Sequence, residues 1–287
     1  EESGSPLARP SRSANLREGS SSLSSVSLST TGAGARKSLS ASLSSTAAQW
    51  RRLQADAQAC LDHCRLWKDH DFPHAPSSLF REPDAPRLSP LPGAELGVDA
   101  TTPVRWLSLR ELYGPAHRWP NGRSSYLYAY DTATTGAHLG GARAFADAHA
   151  MAEHAMQPGD VVQGNVGNCY FLSAVATAVS DRAVRRELID ATFEEAGIYG
   201  VSFFLRGRWR MVWVDSYFPC YAAEGDGAWR PLFARTSGEA EAWLMVVEKA
   251  FAKLHGCYEA LEGGQVACAL AYLTGGVAGT ELLHHCP

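Results

Sequence analysis

Between Ile198 and Asp215 the chain adopts a two-residue period. Ile198 to Leu205 and Trp209 to Asp215 alternate apolar and polar residues, with Gly207-Arg208 between them. That pattern predicts a β-hairpin. The segments around it have the helical period instead. Cys169 to Val179 is apolar and rich in alanine, as a buried helix is, and Val184 to Phe193 extends or follows it. Trp243 to Leu254 puts Trp243, Val246, Val247, Ala250, Phe251 and Leu254 on one face, and Gly256 follows as a C-terminal cap. A hairpin set among helices predicts the α+β class.

The first half is less regular. Residues 1–46 are dominated by Ser, Gly, Ala and a few Arg, without aromatics. Such a stretch buries too little apolar surface to offset its ordering entropy, so 1–46 reads as a disordered segment and 47–287 as the folded domain. Trp50, Leu53, Ala57, Cys60, Leu61, Cys64 and Leu66 recur at three- and four-residue steps, predicting an amphipathic helix. Cys60, His63 and Cys64 lie on it, but no further metal ligands stand near them, and cysteines on an apolar face are core residues. Prolines punctuate 71–98, as a surface loop requires. Trp106 to Tyr113 predicts a short helix capped by Ser108, and residues 139–156 predict another.

Charge and cysteine usage exclude several functions. With 26 basic and 30 acidic residues the net charge is −4, and no basic stripe for nucleic acid is present. No run approaches a membrane span, and the N-terminus lacks the order of a signal peptide. It also lacks an initiator Met, so the chain is expected to be an excerpt of a longer one. Seven scattered cysteines, an odd number with no C-x-x-C pair, suit reduced thiols in a cytoplasmic or other intracellular compartment.

The chemistry concentrates in Gln163-Gly164-Asn165-Val166-Gly167-Asn168-Cys169-Tyr170-Phe171-Leu172. This is a glycine-punctuated turn that delivers a cysteine to the start of an apolar helix. Helix N-termini carry partial positive charge and unpaired N–H groups, which favour a thiolate and stabilise a developing oxyanion. Gln163, six residues earlier, can fold back as a second donor. Gly164 and Gly167 let the backbone pass close to a substrate.

The motif Q-G-x-x-G-x-C-[WY] resembles the nucleophile segment of papain-like peptidases, and the calpain branch is the most similar. Ile198-Tyr199-Gly200-Val201 through Trp213-Val214-Asp215 and Phe218-Pro219 resembles the calpain hairpin. Glu241-Ala242-Trp243 through Glu248-Lys249-Ala250-Phe251-Ala252-Lys253-Leu254 and Gly256-Cys257-Tyr258-Glu259-Ala260-Leu261 resembles its following helix and loop. Gly263-Gly264, Leu273-Thr274-Gly275-Gly276 and, upstream, Phe72-Pro73 with Ser77-Ser78-Leu79-Phe80 complete a likeness over about residues 68–283. Asn168 stands where most calpains have Asp, and Tyr170 where they usually have Trp.

The resemblance implies a papain-like cysteine peptidase fold, in which this chain supplies subdomain 1 of the calpain protease core. It implies calcium-dependent cleavage of protein substrates, with Cys169 as nucleophile and Gln163 as oxyanion donor. It further implies Gly263 and Gly264 at the substrate backbone, and Asp160 and Glu241 as carboxylate ligands of calcium. The second protease subdomain, with its His and Asn, is expected to be missing from this sequence. His255, His284 and His285 match no catalytic position. The competing expectation is a calpain-like scaffold without catalysis, which would have no need of Cys169 or Gln163.

Overall fold

The computed structural model describes residues 47–84, 103–118, 124–128, 155–223, 227–238 and 241–277. The segment 1–46 and nearly all of the helix expected over 139–156 lie outside these described residues. Within them the chain is mixed α and β, with short antiparallel sheets packed among helices.

The hairpin forms as its alternation predicts. Strand β6 (Ile198–Leu205) pairs antiparallel with β7 (Arg208–Asp215), from Ile198↔Asp215 to Leu205↔Arg208. Its turn is Arg206-Gly207, one residue earlier than the glycine pattern suggests. Both residues have positive φ, 50° and 78°, and two left-handed residues match the right-handed twist of the strands they join. A short β5 (Ile189–Asp190) joins the other edge of β6.

A second sheet sits beside it. Here β1 (Val104–Ser108) pairs with β8 (Tyr217–Ala222), and β8 with β9 (Trp229–Pro231). Trp106 therefore lies in a strand opposite Pro219, not in the expected helix. The helix begins only after Ser108, as α3 (Leu109–Tyr113). The Ser108 side chain accepts from Glu111 N at 3.3 Å, and Glu111 Oε2 accepts from Ser108 N at 2.8 Å, a reciprocal cap.

Two apolar clusters divide the packing. Helix α1 (Ala47–Asp62) ends short of Leu66, and Cys64 beyond it takes a left-handed φ of 50°. Leu53, Ala57 and Cys60 on α1 pack against Ala196, Ile198 and Trp213 as a separate cluster. The main core gathers around α4 (Cys169–Ala178), α6 (Trp243–His255) and α7 (Val266–Thr274). Phe171 of α4 stacks on Phe251 of α6 with centroids 3.9 Å apart and rings parallel to within 2°. Every residue of α6 from Trp243 to Ala252 is buried, Glu248 and Lys249 included. Among the described residues no helix is long and apolar enough to cross a membrane.

Candidate active site around Cys169

The turn before α4 is stitched to a segment far away in sequence. Asn165 gives Leu232 O two hydrogen bonds of 3.0 Å, from its main-chain N–H and from Nδ2. Gly164 lies so close to Phe233 that a Cβ there would sit 2.2 Å from the Phe233 carbonyl carbon. No other residue type fits, which explains this glycine physically. Val166 is fully buried, and Gly263 N–H donates to Gly167 O at 3.0 Å. The 163–168 turn is thus held from two directions.

Cys169 is the first residue of α4 and is exposed, whereas its neighbour Asn168 is fully buried. The Asn168 carbonyl accepts from Phe171 N (2.8 Å) and Leu172 N (3.1 Å), closing the first turn. Its side chain does not cap the helix. An exposed thiol at the positive end of a ten-residue helix is the arrangement the sequence leads one to expect.

Gln163 folds back as expected, but onto its own turn: Nε2 donates to Val166 O at 2.8 Å. The second hydrogen on that nitrogen remains for another acceptor. Gly263 and Gly264 come directly beside the turn. Gly263 has φ +71°, and a Cβ on Gly264 would meet the Tyr170 ring at 2.4 Å. Tyr170 therefore occupies the space a side chain at 264 would need, a packing reason for that glycine.

No histidine among the described residues hydrogen-bonds Cys169. His255 Nδ1 is engaged with Phe251 O of its own helix at 2.9 Å, and the ring packs on Phe251 and Tyr272. Burial lowers its pKa, favouring neutral imidazole. His74 is bound to Asp215 at 2.9 Å. His284 and His285 lie outside the described residues.

Asp160 and Glu241 both touch the segment that follows β10, Asp160 at Ser237 and Glu241 at Gly238. Pairing of β4 (Val161–Val162) with β10 (Arg235–Thr236) brings Asp160 to Ser237, whose N–H donates to Asp160 O at 2.8 Å and whose hydroxyl donates to Oδ1 at 3.3 Å. Glu241 is buried, and its Oε2 lies 3.3 Å from where a Cβ on Gly238 would be. Carboxylate and hydroxyl oxygens are the donor type calcium prefers. Those present fall short of a complete shell, and among the described residues no group of three or more His, Cys, Asp or Glu forms a metal cluster.

Sequence reasoning missed the partner of Asn168, the residue before Cys169. Asn168 Nδ2 donates to Glu248 Oε1 at 2.7 Å, and Glu248 Oε2 accepts from Ala234 N at 2.9 Å. Two adjacent charges, Glu248-Lys249, inside an otherwise apolar helix were the available signal.

Comparison with known proteins bears on the same residues. A family model described as calpain family cysteine protease matches residues 118–285. The chain is 47% identical over 125 residues to the calpain-type cysteine protease DEK1 of Arabidopsis thaliana, covering 44% of this chain and 6% of that protein. It is 40% identical over 146 residues to Calpain-5 of Caenorhabditis elegans, covering 48% and 21%. It is 38% identical over 122 residues to Calpain-B of Drosophila melanogaster, covering 41% and 12%. The matched stretch is thus a small part of each relative.

Proposed function

The chain belongs to the calpain family of cysteine proteases, and from that premise we propose that residues 47–287 carry the nucleophile half, subdomain 1, of a papain-like endopeptidase acting on proteins under calcium control. The carrying observation is the exposed Cys169 at the start of α4, on a turn pinned to Leu232, Phe233 and Gly263. A scaffold needs neither an exposed thiol there nor a turn built so tightly behind it.

The Cys169 thiolate attacks a scissile carbonyl carbon. The carbon–sulfur bond forms and the carbonyl π electrons move to oxygen. The N–H groups of the first turn of α4 and the second hydrogen of Gln163 Nε2 stabilise that oxyanion. Collapse expels the amine, which must take up a proton, and water then hydrolyses the thioester. The family resemblance would put the proton carrier on a histidine of the second protease subdomain. Support for this is that His255 is committed to Phe251 O and that no described histidine reaches Cys169. Gly263 and Gly264, beside Tyr170, line the substrate's path.

Asp160 and Glu241, with Ser237, would hold calcium. The ion would neutralise two carboxylates at the turn and tie the β4–β10 pair together, three residues before Gln163. The free thiols of all six described cysteines support a reducing, intracellular setting.

The test is a fluorogenic peptide assay in excess calcium. Residues 1–287 are run alone and with a calpain second protease half added in trans, with Cys169→Ser as blank. Turnover is expected only in the mixture. Cys169-dependent turnover by residues 1–287 alone would place the base within this chain. Absence of turnover in both, together with no covalent capture of an electrophilic peptide by Cys169, would remove the nucleophile reading.

A further inference from the structure

Glu248 is a buried carboxyl that the cleavage chemistry does not use. It lies midway along α6, 1% exposed. Its two oxygens bind two segments that build the nucleophile turn. Oε1 accepts from Asn168, the residue before Cys169, and Oε2 accepts from Ala234 in the stretch that also receives Asn165 and packs on Gly164. Glu248 thus joins the turn, the 232–234 segment and α6 at one point.

The Asn168–Glu248 contact is one-sided. Asn168 Oδ1 is buried without a hydrogen-bond partner, although Nδ2 of the same amide is satisfied. A carboxylate only accepts and has nothing to give Oδ1. A protonated carboxyl carries a hydroxyl and can donate to it, completing an acid–amide pair. The orphaned acceptor and the buried acid answer each other only when Glu248 holds a proton.

The surroundings favour that state. From α6 itself, Lys249 turns away to Asp215 and Tyr217 O. From the loop after α6 comes Tyr258, fully buried and uncharged. From the turn comes Asn168, the residue before Cys169. The other lining residues, among them Phe218, Phe233 and Met245, are apolar. No cation among the described residues faces the carboxyl. Burial pushes Glu248 up to about 7, against the pull of the Asn168 and Ala234 hydrogen bonds.

We propose that Glu248 is a positioning residue for the nucleophile: protonated, it clasps Asn168 and holds the Cys169 turn; deprotonated, it places a negative charge beneath Cys169 and slows the thiol. The proton leaves to bulk water and no other bond changes. This rests on Cys169 being the nucleophile. The reactivity of Cys169 then depends on whether Glu248 holds its proton.

The experiment follows iodoacetamide alkylation of each cysteine by mass spectrometry from pH 5.5 to 9, on the chain and on Glu248→Gln. The glutamine cannot ionise; with its oxygen on Asn168 Nδ2 its amide nitrogen can donate to Asn168 Oδ1, and it gives up only the bond that Oε2 accepts from Ala234 N. Near pH 6 the two proteins should label Cys169 at the same rate. Near pH 8 Glu248→Gln should be faster by up to about tenfold, the effect of a like charge displacing a pKa by one unit. Infrared spectroscopy provides a readout independent of the thiol: a protonated-carboxyl band in the difference between the chain and Glu248→Gln, present near pH 6 and lost near pH 8. Superimposable alkylation profiles, or no such band near pH 6, would overturn the inference and leave the nucleophile reading intact. Should Glu248→Gln fail to fold, Glu248→Met removes the ionisable group without a change of chain length, and the Cys169 profile must then lose the inflection that Glu248 contributes; a profile that keeps it overturns the inference. If Cys169 is not the fastest-labelled cysteine of the unmodified chain, the nucleophile reading fails and this inference fails with it.

Discussion

Lys249 donates to both the side-chain carboxylate and the main-chain carbonyl of Asp215, and neither side chain reaches solvent. Asp215 also accepts from the N–H groups of Asp69 (2.8 Å) and Tyr217 (3.0 Å) and is bonded to His74 Nε2 at 2.9 Å. Lys253 extends the cluster to Asp69 at 2.7 Å. Burial alone would raise the Asp215 pKa, but Lys249 and His74 outweigh it and hold it down at about 2. The cluster joins the N-terminal loop, the end of β7 and α6 through one carboxylate.

Asp215→Asn should therefore be costly. It leaves Lys249 buried without its counter-charge, and breaking a buried pair in this way costs about 3–5 kcal/mol. The folded pKa lies below the ordinary value, so this stabilisation is present above about pH 4 and is lost as pH falls towards 2. That limb amounts to about 2 kcal/mol. Urea denaturation at pH 7 and along an acid series measures both. A loss below about 1 kcal/mol in the variant would show that the pair is dispensable.

Glu194 shapes the opposite limb. Its carboxyl accepts from Ser125 Oγ and Tyr126 N, each at 2.9 Å, yet burial pushes it up to about 7. A raised acid contributes stability that is complete below about pH 4.5 and fades as pH rises through 7. Glu194→Gln should flatten the decline between pH 5 and 8 by about 2 kcal/mol. Parallel urea curves for chain and variant across that range would contradict the assignment.

Two glycines should respond differently to alanine. At Gly164 the new Cβ meets the Phe233 backbone at 2.2 Å, so backbone must move. Gly164→Ala should destabilise by about 3 kcal/mol and slow the alkylation of Cys169. At Gly207 the space is open, but φ is +78°. Gly207→Ala should cost about 1–2 kcal/mol and leave Cys169 untouched. Equal effects of the two on Cys169 would separate the turn from the Phe233 contact.

Calcium should bind weakly, with a dissociation constant of about 10⁻⁴–10⁻³ M, because two carboxylates supply little charge. Asp160→Ala and Glu241→Ala should each abolish the heat of binding in calorimetry. No heat from the unmodified chain at millimolar calcium, or binding that survives both substitutions, would remove the site.

The hairpin, the core helices α4 and α6 and the Cys169 turn are legible because each is written locally, as a period or as glycines at fixed spacing, whereas α7 is not read as a helix from the sequence. Trp106 was misread because its structure is set by pairing with Pro219, far along the chain. No local pattern carries that information. Helix α6 exposes the limit of periodicity differently. Its apolar stripe was read correctly, but burial encloses the whole circumference, and Glu248 and Lys249 are hidden because Asn168 and Asp215 meet them. The distant partner decides whether such a charge is solvated or enclosed.

The stitching of the Cys169 turn has a consequence in time. Asn165 and Asn168 find their partners 67 and 80 residues later in the chain, at Leu232 and Glu248. Contacts of that separation close late in folding, after local helices and hairpins have formed. Until they do, Cys169 is an ordinary thiol on a loose segment, with no aligned donors and no fixed direction. If Cys169 is the nucleophile proposed above, the rate at which it gains reactivity during refolding is then a clock for the last long-range closures. A ribosome-bound chain that has emerged only as far as Asp215 carries the residue without its chemistry.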